Sequence, residues 1–166
     1  MSASTRRRFL GQSLGLATAL ATGALAEKLV RGADKPGREI AFGLVTYQWG
    51  RDWDVPTLIR NCQTAKVLGV ELRTTHAHGV DPGLSAEKCR EVKQRFQDSP
   101  VTLVGLGSNE AYHHADPAAL KRAIEATKAF IKLSHDVGGS GVKVKPNDLP
   151  KNVPQEKTIE QIGKAL

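Results

Sequence analysis

Aromatic residues make up only 5% of the 166 positions and there is one methionine, so a core has to be built from Leu, Val, Ile and Ala. Cysteine is nearly absent: Cys62 and Cys89 are too few and too isolated for a disulfide scaffold. Both fall in amphipathic helical stretches and read as buried thiols, with a single bridge between them left open in an oxidising compartment. No run beyond residue 30 is apolar enough to cross a bilayer. Walker, G-x-S-x-G and C-x-x-C motifs are missing. Gly105-Leu-Gly107-Ser-Asn-Glu110 puts Glu where a dinucleotide fingerprint needs its third glycine, and Gly138-Gly-Ser-Gly141 reads as a helix end and turn. What remains is ordinary globular composition, 40% hydrophobic and 25% charged, with room for one modest core.

The formal charge of +7 is unevenly placed. Arg6, Arg7 and Arg8 stand alone before residue 27, which leaves 21 basic against 17 acidic residues beyond it, or +4. With no aromatics interleaved among the lysines and arginines, nucleic acid is not an expected partner. The same arginines, followed by Phe9-Leu10, precede the uncharged small-residue run Gly11–Leu25 and an Ala24-Leu25-Ala26 cleavage pattern. That layout predicts a twin-arginine signal over residues 1–26, which meets the membrane only during export and sends the chain to the periplasm or cell envelope. Residues 27–38, polar and broken by Gly and Pro, read as a tether.

From residue 39 the pattern alternates. Short apolar, β-branched runs at Ile40–Tyr47, Val70–Arg73, Val101–Gly107 and Gly141–Lys145 predict strands. Between and after them, helical spacing covers Asp54–Leu68, stopped by Gly69, then Ser85–Phe96 and a long segment opened by Asp116-Pro117 and ended by Gly138. That long helix is expected to bury Leu120, Ile124, Thr127, Ile131 and Ser134, and a fourth begins at Lys157 and runs to Leu166. Four βα units predict an α/β fold with a parallel sheet and right-handed crossovers. A complete (β/α)8 barrel takes about 250 residues, so residues 39–166 read as its first four units, a half-barrel of a longer protein.

In such strands the helix-facing positions should be apolar. Glu71 and Arg73 alternate with Val70 and Leu72, and Lys143 and Lys145 with Val142 and Val144, which places these charges in the lumen or at its mouth. Structural ion pairing of Glu71, Arg73 and Lys143 is an open alternative to catalysis. Lys145, last on its strand, is the stronger candidate, because barrel enzymes hold reactive groups at C-terminal strand ends. His76 and His78 follow the second strand and His113-His114 the third. An extended H-x-H pair turns both imidazoles one way, as a divalent cation needs, with His113 and Glu110 completing a set; solvated loop histidines are the competing reading. His135, near a helix C-terminus, reads as structural.

The stretches Gly69–Gly79, Thr102–Ser108 and Gly138–Asn147, behind a twin-arginine leader, resemble the sugar phosphate isomerase/epimerase group of xylose isomerase-like barrels. The resemblance implies a (β/α)8 barrel that moves a proton between carbons of a hydroxy-ketone or aldose with a divalent cation, Mn, Mg, Co or Zn. It places the cation's ligands on strands five to eight, outside this sequence, so no metal ligand is assigned here. It implies Glu71 and Lys145 as catalytic groups, and His76, His78, Glu110 and His113 as contacts to a small sugar or sugar derivative. The alternative is a non-catalytic exported carbohydrate-binding or interaction protein on a half-barrel, completed as a homo-oligomer.

Overall fold

The computed structural model describes residues 41–145 and 148–166. The expected signal and tether lie outside the described residues. Strands and helices alternate as β1 (Gly43–Val45), α1 (Val55–Ala65), β2 (Gly69–Arg73), α2 (Ala86–Gln97), β3 (Thr102–Gly107), α3 (Pro117–Val137), β4 (Val142–Lys143) and α4 (Gln155–Ala165). Every pairing is parallel and the strand order is β1-β2-β3-β4. Consecutive order with right-handed crossovers sends all connecting helices to one face. Burial agrees: Val70, Leu72, Leu103 and Leu106 pack in one cluster with Leu58 of α1, Val92 and Phe96 of α2, and Phe130, Leu133 and Val137 of α3. The α/β class is as expected, in the form of an open four-stranded sheet with β1 and β4 as its edges among the described residues.

Caps explain where the helices start. Asp54 accepts from the Thr57 N–H at 2.9 Å with Pro56 in the first turn, Ser85 accepts from Lys88, and Asp116 accepts from Ala118 and Ala119 ahead of α3. The end of α1 departs from expectation. It stops at Ala65 because Lys66 turns left-handed (φ 56°), with its N–H on the Gln63 carbonyl and the Val67 N–H on that of Cys62. Gly69 opens β2 instead of closing the helix. Any side chain there would press on Val104 Cγ2, 3.3 Å from the Cβ position.

Helix α3 rotates its buried stripe relative to the expected one. Ala123, Thr127, Phe130, Leu133, Ser134 and Val137 face the core, whereas Ile131 is 56% exposed. Leu120 and Ile124 are half-buried and border α4. The larger apolar area of Phe130 and Leu133 fixes that rotation, each such burial being worth ~1.5–3 kcal/mol. Cys62 and Cys89 are buried free thiols, as expected, and burial pushes both above the ordinary thiol value.

β3 starts one residue later than predicted, and β1 and β4 are much shorter. β1 ends when the Tyr47 N–H folds back onto the Val45 carbonyl at 2.7 Å, after Thr46 has paired with the Glu71 carbonyl. β4 keeps only two residues, although the Lys145 N–H still reaches the Glu110 carbonyl at 2.8 Å. Between β2 and β3 the register steps by one: Val70 stands opposite Leu103, but Glu71 stands opposite Gly105, which leaves Val104 as the extra residue.

Candidate functional site

The face of the sheet turned away from the helices carries Val45, Glu71, Arg73, Gly105 and Gly107. Val45 pairs with Glu71, Glu71 with Gly105, and Gly107 with both Arg73 and Lys143. Gly107 leaves the room the charged chains need, while Gly105 lets the Gly141 backbone approach, its carbonyl 2.6 Å from where a Cβ would stand. A Cβ on Gly107 would lie 2.6 Å from Glu71 Oε1 and 3.0 Å from Arg73 Cγ. Glu71 forms an ion pair with Lys143, so the expected juxtaposition across β2 and β4 is present. Arg73 does not join that pair. Its guanidinium lies over the Tyr47 ring at 4.5 Å, and its Nη2 donates to Asn109 Oδ1 at 2.8 Å. Lys145 Nζ donates to the same oxygen at 2.7 Å.

Two cations thus share one neutral acceptor. Partial burial, then the charges of Arg73 and Lys143, hold the Lys145 amine below the ordinary lysine value. The β3–β4 junction sets this arrangement: fully buried Ser108 accepts from the Glu110 N–H and donates its hydroxyl to the Lys143 carbonyl at 2.9 Å. Glu110 contributes through its backbone, whose carbonyl receives the Lys145 N–H.

The loop after β2 is held by Asp81, whose carboxylate accepts from the Thr74 hydroxyl and the Thr75 N–H. Thr75 is left-handed there, at φ 64°. This turn separates the two histidines by function. His78 is buried; its Nδ1 accepts from the Val80 N–H at 3.0 Å, so the ring proton sits on Nε2 and goes to the Arg73 carbonyl at 2.7 Å. Both nitrogens are committed to backbone, and burial pushes this ring below the usual histidine value. His76 keeps one nitrogen free. Its Nδ1 lies 3.3 Å from the Thr46 hydroxyl, which also accepts from the Arg73 N–H at 2.8 Å. Partial burial, then Arg73 and Arg51, favour neutral His76. The Ala77 N–H meets the Arg51 carbonyl at 2.8 Å, tying the loops after β1 and β2 together.

His113 stacks with His114 at 5.0 Å, in a loop whose Tyr112 and His114 carbonyls accept from Gln161 of α4. The four-donor set of His76, His78, Glu110 and His113 is not assembled. Among the described residues no three or more His, Cys, Asp or Glu side chains converge on a metal position. His78 lacks a free nitrogen in any case.

No protein-family model matches the chain and no curated protein matches it. Asn109, Tyr47 and Thr46 are the members that the sequence pattern does not single out, whereas Arg73 is placed by its alternation at the lumen without a role of its own. Tyr47 shares the alternation of Val45, and Asn109 lies two residues past Gly107 at the same sheet end, which are the signals that could have found them. A separate cleft of about 590 Å³, bordered by Leu44, Trp49, Trp53, Cys62 and Ala65, lies beside the β1 edge and α1, away from the charged cluster.

Proposed function

We propose that the open face is one wall of a sugar-handling (β/α)8 barrel of the isomerase/epimerase type, and that it binds a small hydroxylated carbonyl compound. The observation that carries this reading is the convergence of Glu71, Arg73, Lys143, Lys145, Asn109 and His76 on the face and strand ends opposite the helices. In parallel βα architectures, C-terminal strand ends are where reactive groups collect. Once closed inside a barrel, charges on this face would be costly unless they met polar ligand, water or further polar wall. The sheet's consecutive order suits a sector of a ring, which more chain or a second copy would close.

Chemistry follows from the same groups. The Glu71 carboxylate would take a proton from the carbon next to the substrate carbonyl. Lys145, an easier proton donor than an ordinary lysine, would deliver one to the carbonyl oxygen as charge develops there. Return of the proton to the former carbonyl carbon, while the neighbouring hydroxyl gives its proton to the Lys145 amine, completes an isomerisation; return to the opposite face of the original carbon, while the enol O–H proton goes back to Lys145, completes an epimerisation. The divalent cation implied by the resemblance does not fit the described donors, so no step is assigned to it. Export to the periplasm or envelope belongs to the same proposal and rests on residues 1–26 alone.

A second reading has its own observation. Glu71 is already paired with Lys143 and His78 with backbone, an arrangement that also suits a carbohydrate-binding protein without catalysis. Incubating the chain with a ketose in D2O and following the proton next to the carbonyl by NMR separates the two. Exchange that is lost in Lys145→Met supports the isomerase/epimerase. Sugar binding without exchange supports the binding protein, and neither binding nor exchange overturns both.

A further inference from the structure

The charge around Asn109 is unbalanced in a way that the sugar reading does not require. Lys143 has Glu71 as its counter-ion, but Arg73 and Lys145 both point at an amide oxygen that carries no net charge. Bringing two cations to one neutral acceptor leaves their mutual repulsion uncompensated, and partial burial weakens the screening that water would supply. Arg73 adds a second sign. Its Nε is buried and has no hydrogen-bond partner, although guanidinium N–H groups shielded from water are normally satisfied.

The guanidinium is fixed as well as unsatisfied. Tyr47 stacks on its face, the Arg73 backbone N–H is bound by Thr46, and Gly107 provides the space beside Arg73 Cγ. A rigid planar donor of this kind, with an ammonium beside it, recognises an oxyanion. His76 does not add to the positive charge, being favoured in its neutral form.

We infer that Arg73 and Lys145, organised by Asn109 and Tyr47, form an oxyanion-binding site, so that the hydroxylated ligand of this face carries a carboxylate or a phosphate ester. Arg73 is its specificity-determining residue: it selects the charged ligand over its neutral counterpart. This inference deepens the sugar reading and rests on it only for the hydroxylated part of the ligand.

The test is calorimetric titration of the full chain with inorganic phosphate, glucose, glucuronate and glucose 6-phosphate at low and moderate salt. One or both anionic sugars are expected to bind at least about tenfold more tightly than glucose, with affinity falling as salt is raised. Preference between glucuronate and glucose 6-phosphate identifies the oxyanion. Arg73→Gln and Lys145→Gln are each expected to lower anion affinity at least about tenfold, Arg73→Lys to restore part of it, and Lys151→Gln, a change at an exposed lysine, to leave it unchanged. Since Lys145→Gln alters a partly exposed side chain, it keeps the test valid if Arg73→Gln fails to fold. Equal binding of glucose and both anionic sugars would overturn the inference and leave the sugar reading standing. Phosphate binding that needs Arg73 and Lys145, with no gain for either anionic sugar, would sustain the oxyanion site and remove the sugar. Absence of anion binding, or equal loss in Lys151→Gln, would overturn the site.

Discussion

One face of the sheet buries Val70, Leu72, Leu103 and Leu106 beneath three helices, while the other presents Glu71, Arg73 and Lys143 with Val45 and Val104 still 41% and 51% exposed. The same strands supply both, because side chains alternate along extended chain. Apolar packing therefore lies on one side and the charged groups on the other, so substitutions two residues apart and substitutions one residue apart should behave very differently.

The largest contrast is between Leu72 and Val45. Leu72 is 1% exposed, and Leu72→Ala should cost ~2–5 kcal/mol in urea unfolding, against less than ~1 kcal/mol for Val45→Ala. Equal losses would mean that the open face is buried in solution, and would break the comparison. A smaller effect tests how tightly the open face is built. Gly107→Val has to displace the Glu71 carboxylate and the Arg73 stem, at ~1–3 kcal/mol of overpacking, and should weaken ligand binding together with stability. Loss of stability with unchanged binding would show that the glycine serves packing alone.

The gentlest probe is pH. His78 has its pKa depressed below 6.5 by burial, so the folded chain binds fewer protons than the unfolded chain at acid pH. Its contribution is fully present above 6.5 and drains away as pH falls below that value toward the lower folded pKa, with a slope of at most ~1.4 kcal/mol per pH unit. Unfolding measured at pH 7.5 and 5.5 should show this loss, and His78→Gln should flatten it. An unchanged slope would assign the acid sensitivity to His76 or to the carboxylates.

Much of this organisation was legible in the sequence because it is periodic or local. Asp54, Ser85 and Asp116 announce helix starts by their own side chains, and the alternation Val70-Glu71-Leu72-Arg73 by itself separates the two faces. The end of α1 was not legible, since a lysine there adopts the left-handed turn usually given to glycine. The α3 stripe was misplaced by neighbours of similar polarity: Phe130 and Ile131 differ in which one the fold buries, a choice made by tertiary packing. At the site, Glu71, Arg73, Lys143 and Lys145 stand out in the sequence as charges out of place. The partition of His76 from His78 depended on a turn pinned by Asp81, which lies beyond either residue's own spacing. Asn109 drew no attention because its importance comes from two partners 36 positions away in each direction.

The single-residue step at Val104 separates two properties that strands usually hold together. Deleting Val104 would leave Glu71 opposite Gly105 and Arg73 opposite Gly107, the same partners as now, on a strand without its kink. Curvature of the wall could thus be edited while its chemical frame stays in phase, so an engineer wanting a wider or flatter groove would begin at that valine.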